Sequence, residues 1–237
     1  MQRFLIKIFK VKKTFILFLY AFICKVYCRF LFYINGVKVG SFHCKGIPYI
    51  HKSLHATINI GDHFNMNNGA RFSDSGLNGK CRIEVRDTAT LIIGNNVGMS
   101  DVTITCHEKI TIGNNVLLGV GAQIRDTDNH SLNPQDRIKG LDWKNKRTAP
   151  IIIGNNVFIG AYSFILKGVS IGENSIIGAG SIVTKNIPSN QIWAGNSAKF
   201  IREIGSSPIL MENGVKWVAW RSSKHHPSLP YYLLCKA

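Results

Sequence analysis

The residues most able to do chemistry gather in one polar stretch. Asp126-Thr127-Asp128-Asn129-His130 sets an imidazole just behind two carboxylates. An imidazole with an ordinary pKa of about 6.5 can take the proton of an attacking hydroxyl at neutral pH. Asp126 or Asp128 could hold such a ring in the right tautomer, and a backbone carbonyl could do the same. Trp143 and Lys144 lie further along this stretch, and His107 with Glu108 precede it. An aromatic face can stack on a ring-shaped ligand, so Asp128, His107 and Trp143 are candidates to line a substrate pocket beside that imidazole. Each has a plainer reading. A lone loop histidine normally has no role, His107 reads equally as an exposed residue of the framework, and Trp143 as an anchor for its loop. The framework that carries these residues decides between the two.

That framework has a period of six. Ile153, Ile159, Ile165, Ile171, Ile177 and Val183 follow one another at this interval, and Gly154, Gly160, Gly172 and Gly178 follow four of them. An α-helix would space its apolar residues by three and four, and an ordinary strand by two. Six suits a parallel β-helix, with one aliphatic side chain pointing inward on each side of a coil and small residues at the corners. Fixing six residues costs about 6 to 12 kcal/mol of backbone entropy, whereas one buried Ile returns about 1.5 to 3 kcal/mol. One rung cannot stand alone, so coils must stack.

The rhythm recurs upstream at Ile112, Leu118 and Ile124, and the phrase Ile-Gly-Asn-Asn-Val occurs at 93–97, 112–116 and 153–157. The nineteen residues from Ile93 to Ile112 read as three sixes with a one-residue bulge. Ala56 to Asp62 looks like the first rung, and Lys80 to Val85 continues the stack. Between Ile124 and Ile153 the segment Arg125 to Pro150 loses the rhythm, which predicts a loop thrown out of the coil; long loops in compact domains tend to be functional.

These residues resemble the hexapeptide-repeat acyltransferases of the maltose, galactoside and capsule or O-antigen type. The repeat, the loop histidine and the closing Ile182-Val183-Thr184-Lys185-Asn186-Ile187-Pro188, then Ala194-Gly195-Asn196-Ser197-Ala198-Lys199, stand in the expected order over roughly residues 45 to 204. The resemblance implies an all-β fold: a left-handed parallel β-helix with an extruded active-site loop, assembled as a homotrimer. It implies acetyl-CoA as acyl donor and no metal. His130 matches the catalytic base, which would activate a sugar hydroxyl for direct transfer, with a backbone N–H as donor to the oxyanion. Gly160, Ala161, Gly178, Ala179, Thr184, Lys185, Lys199 and Arg202 match positions that hold the donor's pantetheine arm and phosphates. Small residues at corners would let backbone amides approach the arm, and the cations suit phosphate. The same glycines and alanines also satisfy the corners, and an outer-face Lys is commonly just solvated. Ser197 departs from the Pro usual in the closing signature.

The net charge is +16, from 29 Lys and Arg against 13 Asp and Glu. No Asp or Glu precedes Asp62, while ten Lys and Arg fall in that opening segment, so an anionic partner would meet this end. Phe15 to Cys24 is an unbroken apolar run between Lys12-Lys13 and Lys25-Arg29. No small-residue cleavage site follows it, against a signal peptide. A membrane span would need about 20 apolar residues and would bury Lys25. Two readings stay open for residues 3 to 34: a short basic helix on an anionic membrane surface, or one packed on the protein. Cys24, Cys28, Cys44, Cys81, Cys106 and Cys235 form no Cys-x-x-Cys pair and read as free thiols of a cytosolic protein.

The expected organisation is a basic amphipathic segment over 1–45, the β-helix acyltransferase domain over 46–204 and a tail over 205–237. The expected activity is acetyl-CoA-dependent O-acetylation of a sugar or glycan in surface polysaccharide assembly, cytoplasmic or peripheral at the inner face of the plasma membrane. The alternatives are N-acetylation of an amino sugar, or a non-catalytic trimeric assembly protein. His51, His55 and His63 are too early and too irregular for the three-histidine zinc site that this kind of helix can carry. Nucleic-acid binding lacks a reading helix or an aromatic platform.

Overall fold

The structure, a computed structural model, describes residues 2–69, 79–205, 209–212 and 215–218. It opens with α1 (Gln2–Ile34), 33 residues long and so far longer than the short segment the sequence predicts. Coil 1 follows, built from β1 (Lys38–Val39), β2 (Phe42–Lys45) and β3 (Tyr49–Lys52). Coil 2 has β4 (Thr57–Ile60), β5 (Phe64–Asn67) and β6 (Arg82–Val85), and coil 3 has β7 (Thr90–Ile93), β8 (Gly98–Ser100) and β9 (Thr103–Cys106). Coil 4 has β10 (Lys109–Ile112), β11 (Leu117–Leu118) and β12 (Gln123–Arg125). The extruded loop, with its short helix α2 (Pro134–Ile138), leaves the stack here. Coil 5 resumes with β13 (Ile151–Ile153), β14 (Phe158–Ile159) and β15 (Phe164–Ile165), and coil 6 has β16 (Ser170–Ile171), β17 (Ile176–Ile177) and β18 (Ile182–Val183).

Each strand pairs in parallel with its counterpart one coil on, giving three six-coil ladders around one apolar core. The stack starts earlier than its rhythm. Ala56 to Asp62 belongs to coil 2, and coil 1 begins at Lys38, ahead of residue 46. In β2 the inward positions hold Phe42 and Cys44, so no Ile-Gly phrase marks the coil.

The irregularity between Ile93 and Ile112 is not a single bulge. The inward residues run Ile93, Met99, Ile104 and Ile112, at steps of six, five and eight. The corner at Asp101 is therefore one residue short and the corner at His107–Glu108 two residues long.

The Ile-Gly-Asn-Asn-Val phrase is explained at its corner. Its second Asn is left-handed at Asn96, Asn115 and Asn156 (φ 56°, 56° and 59°), a conformation that Asn tolerates better than most residues. The side-chain amides of these residues and of Asn174 each donate to the carbonyl one coil on, at 2.8–3.0 Å, and the run ends on Asn190 as acceptor. The preceding Gly is steric: a Cβ on Gly113 would stand 2.7 Å from Asn155 Oδ1 and 2.9 Å from Gly154 C on the next coil.

Beyond coil 6, β19 (Gln191–Ala194) adds parallel to β17, and β20 (Lys199–Glu203) returns antiparallel along it. The Asn196–Ser197 peptide between them is cis. β21 (Ile209–Glu212) and β22 (Val215–Val218) pair antiparallel. The rest of the tail, with Cys235, lies outside the described residues. At the opposite end α1 buries Cys24, Cys28 and Phe32, spaced four apart as one helical stripe must be. Phe32 meets Phe42 of β2 edge-on at 5.1 Å.

Candidate active site

The third ladder forms the floor of the site. Along its outer face the register aligns His51, Glu84, Thr105 and Arg125 in one row, and Tyr49, Arg82, Thr103, Gln123 and Phe164 in the next. Strand alternation places these residues outward while their neighbours Ile83, Ile104 and Ile124 fill the core.

The loop leaves this face at Asp126 and returns at Ala149, whose N–H donates to Asp126 O at 3.0 Å. Asp126 is wholly buried. Its Oδ1 accepts from His107 N at 2.7 Å, and its Oδ2 from Glu108 N and Lys109 N at 2.8 and 2.9 Å. The long corner is thus fastened to the loop's root. Asp126 does not orient His130, as the sequence allowed, because its strand-end position turns both its oxygens to that corner.

Asp128 does not orient His130 either. It ion-pairs with Lys167 at 2.9 Å. The partner of His130 is Asp142, twelve residues on, whose Oδ2 accepts from His130 Nδ1. This bond holds the Asp142 carboxyl below its usual range, against a smaller desolvation effect. With Asp142 ionised, Nδ1 carries the proton and Nε2 keeps the lone pair that a base needs. The loop is braced around this pair. Ser131 N donates to Asp142 O at 2.9 Å, while Ser131 Oγ and Asn145 Nδ2 both donate to Asp136, at 2.6 and 3.0 Å. Nothing in the sequence spacing marks Asp142; only the folded loop brings it to His130.

Floor and loop enclose a cleft of about 720 Å³ whose lining includes Arg82, Glu84, Arg86, Thr105, Arg125, Asp128 and Lys146 together with His107, His130 and Trp143. The structure therefore assembles His130 with all three predicted acceptor residues. His107 is half-buried rather than exposed; burial, then the nearby Lys146 cation, pushes its imidazole down and keeps it neutral. Trp143 is 63% exposed, so it does not anchor the loop by packing. Lys144 is absent from the lining. Glu84 accepts from Arg82 and Arg86; burial works against its charge, but the two guanidiniums outweigh that and hold its carboxyl low. His107 Nδ1, Arg125 Nε and Asp128 Oδ2 are buried without a partner among the described residues. Polar atoms left so are costly unless something meets them, and these three lie along one cleft.

The eight predicted donor-binding residues lie elsewhere. Gly160 and Ala161 form the corner between β14 and β15, and Gly178 and Ala179 the same corner one coil on. Gly160 N and Gly178 N already donate to Ile177 O and Trp193 O at 2.8 Å. These two amides are committed to the ladder, so the corner offers clearance rather than those donors. Thr184 and Lys185 follow directly on β18, which pairs with β15 of the coil below and lies in the same ladder as β12, from which the loop leaves. Lys199 and Arg202 are exposed on β20. None of the eight lines the cleft.

The hexapeptide repeat of succinyl-transferase family matches residues 150–185. The galactoside O-acetyltransferase of Escherichia coli is 44% identical over 104 residues, covering 44% of this chain and 49% of that protein. A candidate lipopolysaccharide biosynthesis O-acetyl transferase of the same organism, WbbJ, is 27% identical over 161 residues, 66% of this chain and 76% of its own length. The chain thus carries the hexapeptide repeat and resembles O-acetyltransferases over that part of its length. Its helix is accordingly the left-handed parallel form, an exception to the usual right-handed crossover. Among solved structures, AntD, an N-acyltransferase from Bacillus cereus in complex with dTDP and 3-hydroxybutyryl-CoA, superposes with a TM-score of 0.54 at 16% identity, covering 74% of this chain and 87% of that one. That likeness is one of fold. This hexapeptide-repeat chain spans about half the length of the curated relatives it matches at 38% to 47% identity.

Proposed function

We propose that this protein transfers an acetyl group from acetyl-CoA to a sugar hydroxyl, with His130 as the general base. The observation that carries the reading is the His130–Asp142 pair at the mouth of a cleft lined by unpartnered polar atoms. The acceptor hydroxyl gives its proton to Nε2 as its oxygen attacks the thioester carbon. Ionised Asp142 stabilises the imidazolium that results, and the departing sulfur then takes the proton, so no covalent enzyme intermediate is needed. Thr105, Asp128 and Arg125 offer the acceptor hydrogen bonds, with Trp143 as a stacking face.

The predicted donor-binding positions lie outside the cleft, and we read the site as one shared between chains. A homotrimer with sites between neighbouring chains supplies what is missing: the corner edge of Gly160 and Gly178 from one protomer, faced by the loop of the next. Similarity to a galactoside O-acetyltransferase and to WbbJ supports a glycan acceptor and a role in surface polysaccharide assembly, on the cytoplasmic side where acetyl-CoA is available.

The test is to incubate the full-length protein with acetyl-CoA and candidate nucleotide sugars or polysaccharide repeat units, following products by mass spectrometry. An acetylated sugar whose acetyl group is removed by mild alkali, and whose formation fails in His130→Ala, is the expected result. An alkali-stable amide would establish N-acetylation instead. Unchanged turnover in His130→Ala would remove the base, and no product from any acceptor would leave the assembly role.

A further inference from the structure

The proposed reaction does not use α1, yet α1 is the most unusual surface of the molecule. Its last turns are docked: Cys24, Cys28 and Phe32 are buried, and Cys28 and Phe32 join the β-helix core beside Phe42 and Cys44 of coil 1. Phe15, Leu19, Phe22, Ile23, Val26 and Phe30 are between 48% and 65% exposed. Their spacing, four, three, one, three and four, is that of a single stripe on a helix. At 100° per residue this stripe lies on the side of α1 opposite Cys24, Cys28 and Phe32. Lys25 and Arg29 are exposed on the docked side of the stripe, and no Asp or Glu occurs before Asp62.

We propose that α1 lies in the surface of an anionic bilayer, with this stripe toward the acyl chains and the β-helix docked on its opposite face. Charge selects the occupant. A protein groove would have to meet an apolar stripe set in a segment with ten cations and no acid, whereas anionic headgroups beside acyl chains match both features. Surface binding is favoured over crossing by the docking itself. The segment Phe9–Ile34 is long and apolar enough to cross, but it contains Cys28 and Phe32, which are packed into the β-helix core. The undocked portion, Phe9 to Ile23, is about 22 Å long at 1.5 Å per residue, short of a hydrocarbon core of about 30 Å.

The experiment is flotation of the full-length protein with vesicles of phosphatidylcholine alone or mixed with phosphatidylglycerol. Flotation with the anionic vesicles, weakened by salt and by neutral composition, is expected. Leu19→Ser with Phe22→Ser should reduce partitioning by about tenfold or more, and Lys25→Gln with Arg29→Gln by about fivefold per charge removed. Leu19, Phe22 and Lys25 are exposed, whereas Arg29 rests over the Phe42 ring at 5.9 Å, so the serine variant should keep the wild-type urea midpoint and the glutamine variant should lose only a small part of it, which shows that both fold. Absence of flotation with anionic vesicles, or equal flotation of the serine variant, would overturn the proposal. So would a serine variant that changes only the oligomeric mass, since the stripe would then bind a second copy. Flotation that survives extraction at high salt and alkaline pH would show a crossing helix and overturn the surface arrangement.

Discussion

His130 and Asp142, twelve residues apart in one loop, are joined through Nδ1 and Oδ2, and this bond fixes which ring nitrogen faces the cleft. Replacing Asp142 with Asn keeps the size but removes the charge that favours the Nδ1–H tautomer and steadies the imidazolium. Asp142→Asn should lower kcat by about 10² to 10⁴, the range that a positioned base supplies. KM for acetyl-CoA should hold within about twofold, because the donor does not depend on the tautomer. Steady-state kinetics with both substrates varied checks this, and a KM effect without a kcat effect would place Asp142 in binding.

On the proposed reading, Arg125 offers the acceptor a cation whose Nε has no partner among the described residues, while its guanidinium rests over Phe164 and on Gln123. A hydrogen bond to a charged group contributes about 1.5 to 3 kcal/mol. Arg125→Ala should therefore raise the acceptor KM by about ten- to a hundredfold, with kcat nearly intact. A fall in kcat alone would argue that Arg125 meets the transition state rather than the bound sugar.

His107 gives a pH dependence whose sign can be worked out. Burial and Lys146 push its folded pKa below the ordinary value, so the unfolded chain binds the proton more readily. Its contribution is fully present above about pH 6.5, the unfolded value, and is lost as pH falls from there through the folded value. Between about pH 7 and pH 5 the urea midpoint of the wild type should fall more than that of His107→Gln. Parallel curves would mean that His107 is not desolvated as the structure has it.

The parts of this fold that the sequence displays are those where one residue per side must be aliphatic. Ile153 to Val183 announce their coils because each fills the core at a fixed step. Coil 1 is silent because Phe42 and Cys44 fill the same volume with other shapes, and α1 rather than another coil closes that end. The site is legible to the same degree. His130 stands in a recognisable phrase, and the long corner shows as an odd nineteen. Asp142 and the row Glu84, Thr105 and Arg125 are set by loop closure and cross-strand register, which no local spacing records. Asp126 was visible as a carboxylate near the histidine; only the coil below shows that it serves the backbone.

That service makes Asp126 the residue whose loss should be felt in both fold and site. Two oxygens accept three backbone N–H groups at the corner where the coil is two residues too long to turn unaided. Asp126→Ala leaves all three donors without a partner, each costing about 1 to 3 kcal/mol when buried. Water reaching Glu108 and Lys109 offsets part of that, since both are exposed. A net loss of about 3 kcal/mol is expected, read as a lower urea midpoint at unchanged slope. Asp126→Asn keeps one carbonyl oxygen and should lose less. Activity should follow the corner, not the base: both variants should raise the acceptor KM through His107 while the pH profile of kcat stays where the wild type has it. A shifted profile would mean that Asp126 communicates with His130 after all.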